Sequence, residues 1–308
     1  MQYKVAKRQK ITTIAPRGAE GKALINGDQN GLQRDDVYPE LKVISGDEFS
    51  EKFGPTKKGW KKAIYSNNTL VNMVGKDYGV LSNIDFFGEI ENKLLEKDIN
   101  VMTRAINRED RAFAVDHILA DDRYVLTIKN GMDSLRPMLS FTTSYDGSTK
   151  TQGFWGFFRT VCQNGLHVSQ SEIGFSLKHT GNIVNLVMPG IDSLIVKFMD
   201  NEFYSLKRKF EVLAESPIKD LAEYVKMVCD ETGIFQFEKS EENDAASKHA
   251  ENVINTIRRE AKLLNVEPNA WLSYNSFNAY IHSSKKAFQT AYNLDAKLFD
   301  YHMELASN

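Results

Sequence analysis

Cysteine is scarce. The two present in 308 residues, Cys162 and Cys229, both sit in apolar surroundings and cannot build a disulfide framework. The same count excludes a four-cysteine zinc site. The six histidines, His117, His167, His179, His249, His282 and His302, form neither an HExxH nor an HxH pair. Glycine-rich phosphate loops are lacking too: GMDS, GFWG and GKDYG have neither Walker spacing nor the dinucleotide fingerprint, which argues against an ATPase or a Rossmann enzyme. No metal and no cofactor are expected. No apolar run reaches membrane-spanning length. The start, MQYKVAKRQKITTIAP, is basic but has no continuous apolar segment, so neither a signal peptide nor a membrane partner is expected and the cytoplasm is the expected location. Net charge is only -2, so there is no global attraction to nucleic acid, although a local basic face would suffice.

What is there suits a folded chain: 42% hydrophobic and 26% charged residues, enough for one large domain or two ordinary ones. Residues 1–36 are polar and glycine-rich and read as an arm or surface loops. From 37 to 190 strand patterns dominate. LKVIS (41–45), TLVNMV (69–74), YGVLS (78–82), VMTRAINR, RAFAVDHIL, RYVLTIKN, Leu139 to Thr143, FWGFFRTVC and LHVSQSEIGFSLKH are strand candidates, and IVNLVMP closes the set. RAFAVDHIL reads equally well as a short helix. One helix interrupts the strands, FFGEIENKLLEK, with Asn83 and Asp85 as cap candidates. From 191 to 308 apolar residues recur at helical intervals, and PIKDLAEYVKMVCDETG starts with a proline near its first turn and stops near Gly233. The expectation is an α+β fold: a mixed or antiparallel sheet in the N-terminal two-thirds with a helical C-terminal part packed on it, in the same domain or a second one.

Candidate chemistry is sparse. Cys162 invites a nucleophile reading, but in a strand His167 falls on the opposite face, and the apolar neighbours favour a buried small side chain. Asp146-Gly147 in SYDGS is a tight-turn signal. Basic residues gather around Trp60, at Lys57, Lys58, Lys61 and Lys62, and again at Lys207, Arg208 and Lys209. Lysines beside an exposed ring are what single-strand binders use, whereas such runs are also ordinary solvated surface.

Three motifs in fixed order, SYDGS (144–148), RTVCQNGL (159–166) and HTGNI (179–183), followed by NAWLSYNSFNAYIH (269–282), resemble the phage/plasmid-like protein family, a domain of unknown function found on prophages, plasmids and other mobile elements. The similarity spans roughly 40–285. Thr160 and Gly165 depart from the family's valine and threonine. The resemblance implies a mobile-element setting and no particular reaction. Combined with the basic patches and the absence of an ATP site, it leads to a leading expectation of a single-stranded nucleic-acid binding or annealing accessory protein. Single-stranded DNA would be its partner and a homo-oligomer its assembly. A phage structural or accessory protein acting through protein–protein assembly is the alternative. An enzyme using Arg159, Asn164 and His179, with Asp146 and His282 as further candidates, is the third.

Overall fold

The computed structural model describes residues 9–14, 38–55, 59–159, 164–166, 174–199, 204, 206–240, 243–283 and 288–307. The fold is α+β, strand-rich up to Leu177 and mainly helical from Ile183 to Ser307. Two compact units interleave along the chain. One draws on residues within 1–121, 138–154 and 171–200, the other on residues within 122–137, 155–170 and 201–308.

In the first unit, β2 (Leu41–Ser45), β3 (Lys62–Ser66) and β4 (Thr69–Val74) form an antiparallel sheet in that order. Asn67 and Asn68 join β3 to β4 with φ of 46° and 61°, the left-handed pair that a two-residue hairpin turn needs. Ile44, Ala63 and Tyr65 bury one face against Phe49 of α1 (Gly46–Phe53), Leu70 and Met73. The stretch YGVLS, expected as a strand, is instead an irregular strap in which Tyr78 makes one isolated bridge to Thr180. It leads into α2 (Asn83–Glu96). The cap is Ser82, one residue before the expected Asn83: its backbone is extended, and its hydroxyl accepts from the Asp85 amide (3.0 Å) and donates to the Asp85 carboxylate (2.7 Å).

The helix buries Phe86, Phe87, Ile90 and Leu94, and Phe86 meets Phe141 edge-on. Phe141 lies on a larger sheet ordered β1 (Gln9–Ile14), β5 (Val101–Arg108), β6 (Ala112–Leu119), β8 (Asp133–Ser144) and β9 (Thr151–Arg159), with β11 (Phe175–Leu177) antiparallel to β9. Cross-strand register places Arg104, Asp116 and Ser140 in one row. Arg104 donates to Asp116 Oδ2 through Nε (2.9 Å) and Nη2 (2.6 Å), and the Ser140 hydroxyl donates to Oδ1. RAFAVDHIL is thus a strand, β6. IVNLVMP is the first half of α3 (Ile183–Met199), with Pro189 inside it, and the expectation of a closing strand fails there. A seven-residue run with Asn185 as its one polar residue has no clear period that separates a buried strand from a buried helix.

Strands β8 and β9 contribute to both units. In the second, β7 (Leu126–Ile128) pairs with the first residues of β8, and β10 (Asn164–Leu166) pairs with Phe157–Arg159 of β9. The long strand expected at RYVLTIKN is cut to three residues by a 3-10 turn at Lys129–Gly131. Helices α4 (Lys207–Glu215), α5 (Leu221–Thr232), α6 (Lys248–Leu264), α7 (Ala270–Ser283) and α8 (Phe288–Ser307) follow, with a small hairpin of β12 (Glu238–Ser240) and β13 (Asn243–Ala246). The start of α5 falls at Leu221 because the Asp220 carboxylate caps the amides of Ala222 and Glu223, and Gly233 ends it in the left-handed conformation. Phe210 centres the packing, with Phe157 at 5.0 Å, Trp271 at 5.2 Å and Phe299 at 5.8 Å.

Candidate functional site

The SYDGS turn joins β8 to β9. The Asp146 side chain accepts from the Ser148 amide (2.9 Å) and Gly147 has φ +76°, so the turn signal in the sequence carries real turn geometry. The preceding Tyr145 is buried, and its hydroxyl accepts from the Asn83 amide at 3.1 Å. Its carbonyl accepts from the Tyr78 hydroxyl and from Asn72 Nδ2, each at 3.4 Å. The HTGNI segment arrives from β11. The His179 ring stacks on Tyr78, centroids 5.2 Å apart and 7° from parallel. Two signature motifs distant in sequence therefore close on Tyr78, a residue with no sequence signal beyond its place in GKDYG.

His179 Nε2 lies 2.9 Å from the Thr149 carbonyl. A carbonyl only accepts, so Nε2 carries the proton and Nδ1 holds a lone pair. Nδ1 is enclosed and has no hydrogen-bond partner among the described residues. Burial lowers the ring's proton affinity below the ordinary histidine range, opposed by the Thr149 and Gly79 carbonyls and the Asp146 carboxylate. Tyr78 is shifted the other way, its phenol raised by burial and by Asp146. At Gly79 the strap and the HTGNI segment meet backbone to backbone: the Gly79 amide donates to the His179 carbonyl (3.2 Å), and a Cβ on Gly79 would stand 1.7 Å from the Thr180 carbonyl oxygen.

Lys62 donates from Nζ to the Tyr78 carbonyl at 3.0 Å, which joins this cluster to the basic segment ahead of β3. There Trp60 is 37% exposed and Lys61 is exposed. The Lys61 backbone is pinned on both sides, its amide donating to Val74 and its carbonyl accepting from Gly46, both at 2.8 Å. Lys57 and Lys58 lie outside the described residues. The other basic candidates are balanced by acids on their own helix: Lys207 stands 3.8 Å from Glu211, and Arg208 stands 3.8 Å from Glu211 and 3.7 Å from Glu215. Lys209 follows them on α4, exposed.

Arg159 belongs to the second unit and is 0% exposed. Its Nε donates to Asp133 and its Nη1 to Glu260 at 2.6 Å, and Trp271 Nε1 donates to the same Asp133 oxygen at 2.9 Å. A guanidinium so enclosed is tied to its two carboxylates and turned away from solvent. Asn164 pairs with Arg159 in the β9–β10 register. His282 reaches Asp295 at 3.4 Å, and the buried Asp295 also accepts from the Tyr274 hydroxyl at 2.9 Å. Asp146 and His179 are thus neighbours in one unit, and Arg159, Asn164 and His282 belong to the other. Sequence reading missed Asp133, Glu260, Asp295 and Tyr78. Asp133, inside GMDS, and Tyr78, inside GKDYG, stood in stretches quoted for their glycines and not for these side chains. Cys229 is buried, its thiol pushed up to about 12, while Cys162 lies outside the described residues. Among the described residues, no group of three or more His, Cys, Asp or Glu side chains could hold a metal ion, and no helix is long and apolar enough to cross a membrane.

No curated protein and no solved structure matches the chain. One family model does, over residues 71–299. That span takes in SYDGS, RTVCQNGL, HTGNI and the α7 segment, and it leaves Trp60, Lys61 and Lys62 outside. With three-quarters of its length so matched, the chain belongs to the family described as Domain of unknown function (DUF932), which is found on phages, plasmids and other mobile elements.

Proposed function

We propose that the chain is a single-stranded nucleic-acid binding or annealing accessory protein of a phage or other mobile element, and that it takes single-stranded DNA at the Trp60–Lys62 edge. One observation carries the reading: an indole 37% exposed stands next to an exposed lysine whose backbone is fixed at the end of a sheet. A ring in that position stacks on bases of any identity, and the ammonium group meets phosphate. The partial compensation of Lys207 and Arg208 by Glu211 and Glu215 makes α4 the weaker surface. A homo-oligomer working in the host cytoplasm fits a strand-annealing role.

Fluorescence anisotropy with a labelled oligo-dT across a salt series tests the reading. Trp60→Ala should weaken binding by about 1–3 kcal/mol, and Lys61→Ala should lower the salt slope by about 0.7, the loss of one single-strand phosphate contact. Lys207→Ala should leave both nearly unchanged. Wild-type protein with no salt-sensitive binding would end the proposal. A specific feature supports assembly through protein contacts as the second reading: Val184, Leu186 and Val196 on α3 are each close to half exposed. Under that reading the protein self-associates without nucleic acid, and Leu186→Asp reduces the assembled fraction seen by mass photometry.

A further inference from the structure

We propose that His179 is a positioning residue: it holds the strap between β4 and α2 in the conformation that presents the Trp60–Lys62 edge, and protonating its ring releases the strap. The link to DNA rests on the function proposed above; the latch itself does not.

His179 holds the strap at two points, and its own ring is held in turn by Thr149. Its carbonyl takes the Gly79 amide, its ring stacks on Tyr78, and its Nε2 proton goes to Thr149. Tyr78 passes the constraint on, because its carbonyl takes the Lys62 ammonium group and its hydroxyl reaches the Tyr145 carbonyl. Lys62 sits next to the Lys61 backbone that bridges Val74 and Gly46. A shift of the strap therefore reaches the basic edge through bonded neighbours.

Protonation needs a second N–H at Nδ1, where the described residues offer no hydrogen-bond partner and water is excluded. The Gly79 carbonyl faces the ring short of a hydrogen bond. The groups around the ring are the Asp146 carboxylate from the β8–β9 turn and the Tyr78 phenol from the strap, with Lys62 from β3 on the far side of Tyr78. The two carbonyls and the single carboxylate only partly offset the lost hydration, so the ring's proton affinity stays below the ordinary one. Opening the strap restores that hydration, so acid favours the open form. A histidine that touched phosphate directly would do the reverse and tighten binding as it charged.

The test uses the full chain as wild type, His179→Ala and His179→Gln. Glutamine keeps a donor for Thr149 and cannot titrate. Amide-exchange protection of Gly79 and Thr180, normalised to core amides of β6, is measured between about pH 7.5 and pH 5.5, together with oligo-dT affinity. In the wild type, acid should lower Gly79 protection roughly tenfold and weaken binding. His179→Ala should show low protection at both pH values, and His179→Gln should be flat with pH. Unchanged Gly79 protection in His179→Ala, or an acid response that persists in His179→Gln, overturns the latch. A wild type that binds no oligonucleotide at either pH overturns the proposed function instead, while the exchange data still decide the latch.

Discussion

The clusters around His179 and around Arg159 use similar residue types and come to opposite ends. Around Arg159 every strong charge is matched inside the protein: a guanidinium with two carboxylates and an indole N–H, all buried. Around His179 the match is incomplete: one ring nitrogen is satisfied, the other is enclosed without a partner among the described residues, and the nearest carboxylate sits on a surface turn. A buried network whose charges are paired fixes an architecture. An unsatisfied titratable group beside a strap leaves a second arrangement within reach. Arg159 and His179 each stand in one of the ordered motifs, so motif membership alone does not mark function.

Breaking the charge-paired network should have the largest effect. Arg159→Met leaves Asp133 and Glu260 buried without their cation and should destabilise the protein by about 3–5 kcal/mol, read as a lower urea midpoint. A loss below about 1 kcal/mol would mean the network is hydrated and the contrast between the clusters is wrong.

Acid should come next, through histidines in each unit. His117 and His302 are fully buried, and burial brings both down to about 4. A group with a depressed folded pKa binds fewer protons folded than unfolded, so stability is complete above the ordinary value of 6.5 and falls as pH drops through the folded value. At pH 5 the loss should be about 2 kcal/mol for each ring, from urea midpoints at neutral and acid pH. A flat profile would show that these rings titrate normally.

The smallest effect sharpens the other side of the comparison. Gly79→Ala places a methyl against the Thr180 carbonyl and should cost about 1–3 kcal/mol. The damage should be confined to the strap, with exchange at Gly79 and Thr180 accelerated and the amides flanking Arg159 unaffected. Loss of protection around Arg159 as well would mean that the two clusters do not respond independently.

Much of the fold was legible because burial repeats with the period of the element. Alternation marked β5, helical spacing marked α2 and α5 to α6, and Asp146-Gly147 marked the turn. Reading failed where local signals compete. A mostly apolar run hid the start of α3, and YGVLS looked like a strand although Gly79 is pressed against Thr180 and Tyr78 pairs only through an isolated bridge. The candidate site was legible as a set of residue types and not as an arrangement. Asp146 and His179 do share a neighbourhood, but Tyr78, which joins them, carries no distinguishing pattern.

By itself the sequence determined the α+β class, most strand and helix positions, and the ordered motifs that identify the family. Those depend on residue order over a few turns of chain, where sterics and solvent exposure act locally. Tertiary structure alone decided that Arg159 would be neutralised by Asp133, 26 residues away, and Glu260, 101 residues away, and that Tyr78 would lie under His179. Charge pairing and ring stacking act over a few ångströms, and only the crossing of distant segments sets which groups come that close.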